Sequence, residues 1–275
     1  MRSLAKENNI DVQQMQQRYI LEEFARKISK SKYKDSVILK GGFVVSALLG
    51  IDERTTRDID FTFNSTIYNM NQIREIIETI ICTETNSFFE YEIVSIKEEQ
   101  LNDRYTGFSC MIDAINGKAR FHMKLDVSNN TLVYPKGIQS RLSSFIEDET
   151  IDVITYAIEN IIAEKYETTL DRGEFNSRIR DLFDVHYLFI NNRHLIDDSM
   201  LAKTIIEVSK DRNTLSNLFD FDVLIKELIE SKVFNNNFIR YKRNNGVYED
   251  ESLETIFQTF KSINELVKKE LNLRG

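Results

Sequence analysis

Arg57-Asp58-Ile59-Asp60-Phe61-Thr62-Phe63 is the stretch that decides the fold. Ile59, Phe61 and Phe63 alternate with Asp58, Asp60 and Thr62, the period-two pattern of a strand with one face on a core. Both carboxylates then share the opposite face. Two anions side by side repel unless a cation lies between them, so a strand presenting them is a natural magnesium site. The same pair also fits two solvated acids on an exposed sheet face, since Asp-x-Asp is a common sequence.

Working upstream, Val37-Ile38-Leu39 reads as a buried strand that ends at Lys40-Gly41-Gly42, with a helical stretch following to Gly50. Backbone N–H groups free of side-chain bulk at a helix start can hold a phosphate. A tight strand-to-helix turn is the plainer account. The lysine precedes the glycines, so this is not a P-loop, and the spacing is not a dinucleotide fingerprint either. A glycine turn ahead of a paired-aspartate strand nevertheless suits a nucleoside triphosphate lying between turn and metal. Residues 11–30, with Met15, Tyr19, Phe24 and Ile28, predict an opening helix.

Downstream, Met70, Ile73, Ile77 and Ile80 predict a helix over 66–82, and 88–128 reads as strands. Asn116-Gly117 between two alternating runs marks a hairpin. In its second run Phe121, Met123, Leu125 and Val127 share one face; His122, Lys124, Asp126 and Ser128 share the other. Asp126 is a third carboxylate that would complete a two-metal cage, or a half-exposed polar-face acid. From 150 onward the pattern is helical, with breaks near 171–176, 192–197, 211–214 and 244–250. The expected organisation is therefore an α+β domain over 1–145 and a helical domain over 146–275.

Lys165 is the oddity of the second half. Ile151, Ile154, Ile158, Ile161 and Lys165 fall on one helical stripe, placing a lysine at an apolar position. It either snorkels outward or reaches a substrate phosphate. On either account a methionine at 165 is expected to keep or improve stability. Asp181 and Asp184, in Arg180-Asp181-Leu182-Phe183-Asp184, lie one turn apart and serve either as surface salt-bridge partners or as carboxylates that steer the lysine or bind substrate.

Composition excludes several classes. At 275 residues the chain is long enough for a core without staples. Nine glycines and one proline set aside collagen-like and linker-rich readings. No apolar run approaches the ~18 residues of a membrane span, and the N-terminus lacks a signal-peptide core, so a cytoplasmic protein without membrane contact is expected. Cys82 and Cys110 read as two buried reduced thiols. A net charge of −8 argues against coating nucleic acid by bulk electrostatics, although not against a local basic groove. Two local runs qualify: Arg26-Lys27 through Lys30, Lys32 and Lys34, and Arg240-Tyr241-Lys242-Arg243.

Together these residues resemble the AbiEii/AbiGii toxin family of nucleotidyltransferases. The resemblance rests on the Tyr19–Tyr33 helix, Val37-Ile38-Leu39-Lys40-Gly41-Gly42 and Arg54-Thr55-Thr56-Arg57-Asp58-Ile59-Asp60-Phe61, then Ala163-Glu164-Lys165 and Arg180-Asp181-Leu182-Phe183-Asp184. It covers roughly residues 15–190. It implies a polymerase-β-like nucleotidyltransferase core with a small mixed sheet, followed by a C-terminal helical bundle. It further implies Mg2+-dependent transfer of a nucleoside monophosphate from an NTP to RNA at tRNA 3′ ends. The setting it implies is a bacterial toxin–antitoxin or abortive-infection system, active in phage defence, with a cognate antitoxin encoded nearby. By position, Lys40, Gly41, Gly42, Arg54 and Thr56 match nucleotide-binding positions, and Asp58 and Asp60 the metal pair. Asp126 matches a third metal carboxylate. Asp58, Asp60, Lys165, and Asp181 or Asp184, fill the catalytic positions.

Two other classes remain beside the RNA-modifying toxin. The same chemistry could attach a nucleotidyl or phosphoryl group to a protein or small molecule, which the acidic charge favours slightly. A non-catalytic binding module is opposed by the joint presence of both aspartates, the glycine turn and Lys165.

Overall fold

The computed structural model describes residues 5–6, 11–49, 56–63, 68–100, 106–129, 131–144, 149–245 and 251–274. Helix α1 (Val12–Lys30) starts at Asp11, whose carboxylate accepts from the backbone N–H groups of Gln13 and Gln14. It buries Met15, Tyr19, Ile20, Phe24 and Ile28. Strand β1 (Val37–Lys40) runs directly into α2 (Gly41–Leu49) because Gly41 takes a φ of +67°, a turn open to glycine at little cost. Strand β2 is Asp58–Phe63. Helix α3 (Met70–Ile81) opens with a reciprocal cap between Asn69 and Gln72 and buries Ile73, Ile76, Ile77 and Ile80.

Strands β3 (Glu90–Gln100), β4 (Thr106–Asn116), β5 (Ala119–Ser128), β6 (Ile138–Ser143) and β7 (Thr150–Thr155) complete a mixed seven-stranded sheet among the described residues, in the order β3-β4-β5-β2-β1-β7-β6. β2 pairs antiparallel with β1 and parallel with β5. The Asn116-Gly117 hairpin forms as expected, with Gly117 at φ +59°. Ile59, Phe61, Met123, Leu125 and Val127 are all buried, so the alternation in β2 and β5 selects the face expected from the sequence.

The two compact units are Met1–Tyr156 and Ala157–Gly275, a division later than the expected 145/146 boundary. The reason is β7. Thr150–Thr155 is strand rather than helix: it pairs parallel with β1 and antiparallel with β6. The apolar stripe through Ile151 and Ile154 therefore breaks, and only Ile158 and Ile161 share a helix with Lys165.

The second unit comprises α4 (Ile158–Arg172), α5 (Ile179–Asn191), α6 (Asp198–Asp211), α7 (Ser216–Phe219), α8 (Phe221–Glu230), α9 (Lys232–Asn245) and α10 (Leu253–Arg274). Its core stacks Tyr166 against Phe260 and Phe221, at ring separations of 5.2 and 6.2 Å. Among the described residues no helix is long and apolar enough to cross a membrane. Cys110 is buried, as expected of a structural thiol, whereas Cys82 is exposed.

The two basic runs are spent on the fold in part, with Lys30, Lys32, Lys34, Arg240 and Arg243 left exposed. Arg26 is buried against Glu23 at 2.5 Å, and buried Lys27 donates to the carbonyl of Thr83 at 2.7 Å. Tyr241 stacks on Phe183, and Lys242 donates to the carbonyl of Glu251.

Candidate active site

Asp58 and Asp60 stand on the face of β2 opposite Ile59 and Phe61, each half-buried. Sheet register fixes their neighbours. Asp58 lies beside Lys124 and Asp60 beside Asp126 on β5, while Lys40 of β1 lies across from Asp60. Strand partners in register project to the same face. One face therefore gathers Lys40, Asp58, Asp60, Lys124 and Asp126.

Gly41 is built against this face. A Cβ at position 41 would lie 2.0 Å from Oδ2 of Asp60, in a backbone conformation that side chains already disfavour. The glycine is thus a steric requirement for the Asp60 carboxylate where it stands. It also brings the start of α2 to that carboxylate. Lys40 places its ammonium 5.4 Å from the ring centre of Tyr156. The Thr56 hydroxyl donates to the carbonyl of Asp58 at 3.2 Å, fixing the approach to β2. Arg54 lies outside the described residues.

Asp126 is engaged by its own strand neighbour: its Oδ1 accepts from Nζ of Lys124 at 2.9 Å. The Lys124 ammonium is held above its ordinary pKa by that bond, against the opposing effect of burial, with the charges of Asp126, Glu99 and Asp58 adding. Asp58, Asp60 and Asp126 do not form a ready-made three-carboxylate cage; among the described residues no group of three His, Cys, Asp or Glu gathers to hold a metal. Asp58 and Asp60 still suit a hard divalent cation of the kind that takes one or two carboxylates and completes its shell with substrate phosphates. The space that glycine leaves at position 41 keeps the Asp60 oxygens in place for it.

Further along the hairpin, buried Asp113 accepts from Nη1 of Arg120 at 2.6 Å and pairs with Nδ1 of His122 at 2.5 Å. Burial raises the Asp113 pKa, but these two hydrogen bonds outweigh it and hold the carboxyl below its ordinary range. Sequence reasoning missed this cluster, although the hairpin register that places Asp113 opposite His122 follows from Asn116-Gly117. It also passed over Lys124, whose signal was its position two residues before Asp126 on the same face.

Lys165, Asp181 and Asp184 form a second constellation, inside the helical unit. Nζ of Lys165 donates to Oδ1 of Asp181 and lies 2.9 Å from Oδ2 of Asp184. The three side chains are 16%, 10% and 1% exposed, so the cluster is an internal ion triad. This corrects the expectation for Lys165→Met: the lysine neither snorkels into water nor stands alone on an apolar stripe, because two carboxylates of α5 require it. Asp181 and Asp184 are buried rather than solvated at the surface, and both turn an oxygen to this lysine.

No curated protein matches the chain. Among solved structures it resembles JHP933 from Helicobacter pylori, with 17% identity over 96% of each chain and a TM-score of 0.50. That likeness is one of fold. Another Helicobacter pylori protein aligns over 96% of this chain and 99% of its own, with 19% identity and a TM-score of 0.49. An antigenic nucleotidyltransferase-like protein from Paracoccidioides brasiliensis aligns over 73% and 90%, with 16% identity and a TM-score of 0.43. The sequence itself matches the family described as "Nucleotidyl transferase AbiEii toxin, Type IV TA system" over residues 24–259, and the chain belongs to that nucleotidyltransferase toxin family.

Proposed function

We propose that this nucleotidyltransferase toxin uses Mg2+ to transfer a nucleoside monophosphate from an NTP to an RNA acceptor, at the 3′ end of tRNA. Growth arrest during phage infection, held in check by an antitoxin, is the setting we assign it. The observation that carries the reading is the fit of Gly41 against Asp60. A glycine turn opening a helix and an Asp-x-Asp strand face are each common alone. Here the turn is shaped around the second carboxylate, which brings amide donors for phosphate beside oxygen ligands for a cation.

In this reading Asp58 and Asp60 hold the cation, and the amides at Gly41 and Gly42 receive substrate phosphate. Asp126 completes the carboxylate set. Bound magnesium would offset phosphate charge and polarise the transferred phosphoryl group. Lys40, Arg54 and Thr56 flank the nucleotide.

The test is transfer of labelled NMP from each NTP, with magnesium, to total RNA and separately to total protein. Labelled tRNA, lost in Asp58→Asn and Asp60→Asn, is the expected result. Label on protein or a small molecule instead would move the acceptor to the second reading, which the net charge of −8 and the internal use of Arg26, Lys27 and Tyr241 favour. Undiminished transfer in the two asparagine variants would refute the metal pair.

A further inference from the structure

Lys124 is the charged group on the candidate face that the proposed chemistry leaves without a task. Its side chain is 37% exposed and its ammonium sits 2.9 Å from Asp126. The register makes a block of four: Asp58 beside Lys124 and Asp60 beside Asp126, with Lys40 across from Asp60. Three carboxylates thus share the face with two lysines. A divalent cation arriving alone meets a face whose negative charge is largely offset. A triphosphate arriving alone meets three carboxylates. Arriving together, each removes the other's obstacle.

We propose that Lys124 couples cation and triphosphate binding: paired with Asp126 it opposes a lone divalent cation, and it turns to phosphate oxygens when both ligands are present, leaving Asp126 to the cation. The inference rests on reading Asp58 and Asp60 as the metal pair. Lysine suits the task because its ammonium is a point charge on a flexible stem, with no planar fork to realign. A partly exposed ion pair is also weak enough to exchange partners. The repulsion it exerts on a cation bound at the neighbouring Asp58 acts across adjacent strands, within the range where a unit charge in a protein environment has a large effect.

Binding is measured on the full chain with Mn2+ alone, by electron paramagnetic resonance. The affinity of a fluorescent non-hydrolysable NTP analogue is measured in EDTA and in saturating Mn2+. Linkage requires the two ligands to strengthen each other by one common factor. In the wild type that factor is expected to be about tenfold or more, within the usual range of coupling. Lys124→Met should bind Mn2+ alone about tenfold more tightly, because one repelling charge is gone and Asp126 is released. Its coupling factor should fall to about threefold or less, below that range. Lys124→Gln, which keeps a polar side chain, gives the same readings should the methionine variant fail to fold.

Wild-type Mn2+ affinity in both variants, or an unchanged coupling factor, overturns the proposal. So does a wild type in which the two ligands bind independently. Asp58→Asn separates this failure from that of the parent reading: if it binds Mn2+ as the wild type does, the metal pair itself is wrong.

Discussion

Replacing Lys165 with methionine is expected to destabilise the helical unit by about 3–5 kcal/mol, the usual cost of removing one partner from a buried ion cluster. The magnitude follows from burial. Asp184 is 1% exposed and Asp181 10%, and both carboxylates direct an oxygen at the same ammonium. At an effective dielectric of ~20 and separations of ~3–4 Å, each pair attracts by roughly 4–6 kcal/mol. That attraction offsets the desolvation of the two acids, and methionine leaves the desolvation uncompensated while filling similar space. Urea denaturation followed by circular dichroism should show the loss, with the melting temperature lower by about 10 °C. Lys165→Met combined with Asp181→Asn and Asp184→Leu should recover much of it, since an apolar replacement of a whole buried ion group is often neutral. A single variant within about 1 kcal/mol of the wild type would refute the triad as an ionic unit. The consequence for function is practical: loss of toxicity in Lys165→Met cannot be assigned to chemistry until its stability is known, whereas Lys165→Arg keeps the charge and separates the two.

Gly41→Ala should abolish transfer and lower stability by about 1–2 kcal/mol, the cost of a left-handed backbone for an L residue, because its methyl meets the Asp60 carboxylate; labelled-NMP transfer and thermal melting check both. Asp60→Asn should remove transfer yet change the melting temperature little, since it relieves repulsion from Asp58 while giving up attraction to Lys40 across the strand pair. Burial holds the His186 imidazole below its ordinary pKa, against the opposing pull of Glu251. Because the unfolded chain binds that proton more readily, stability should fall as pH drops below about 6.5, and His186→Asn should flatten this slope in melting curves. Asp113 shows the acid counterpart: with its folded pKa depressed, its contribution is complete above about 3.9 and fades as pH falls further, so Asp113→Asn should be destabilised at pH 7 and lose less than the wild type on acidification.

Legibility followed how local the determining physics is. Alternation in 58–63 and 121–127 fixed which residues face the core, because a strand's period cannot be satisfied another way once one side is buried. Asn116-Gly117 fixed the hairpin, and with it the pairing of Asp113 with His122. β7 was hidden because Ile151 and Ile154 stand three apart and continue to Ile158 and Ile161, imitating a helical stripe across a strand–helix junction. Its signal lay in composition: Thr150-Ile151-Asp152-Val153-Ile154-Thr155 is almost wholly β-branched. β6 gave less to read, being a short edge strand with largely exposed side chains.

Side-chain partners across elements were the harder part, and Lys165 shows why. Spacing placed it on the buried side of a helix, and spacing placed Asp181 and Asp184 on one face of the next. What sequence could not supply was how α4 and α5 turn toward each other, and that rotation decides whether three charges are solvated separately or meet in one ion cluster. The same charges on β2 and β5 meet a different fate. Asp58 and Asp60 share a strand face with lysines placed beside and across from them, and Gly41 keeps space at the Asp60 oxygens. In α4 and α5 the lysine is largely enclosed, at 16% exposure, and shared by two carboxylates, so its charge is engaged within the fold. Carboxylates that look alike in a motif thus divide by the exposure of their cation: a half-exposed lysine can yield to a ligand, whereas one enclosed with its acids is first of all part of the core.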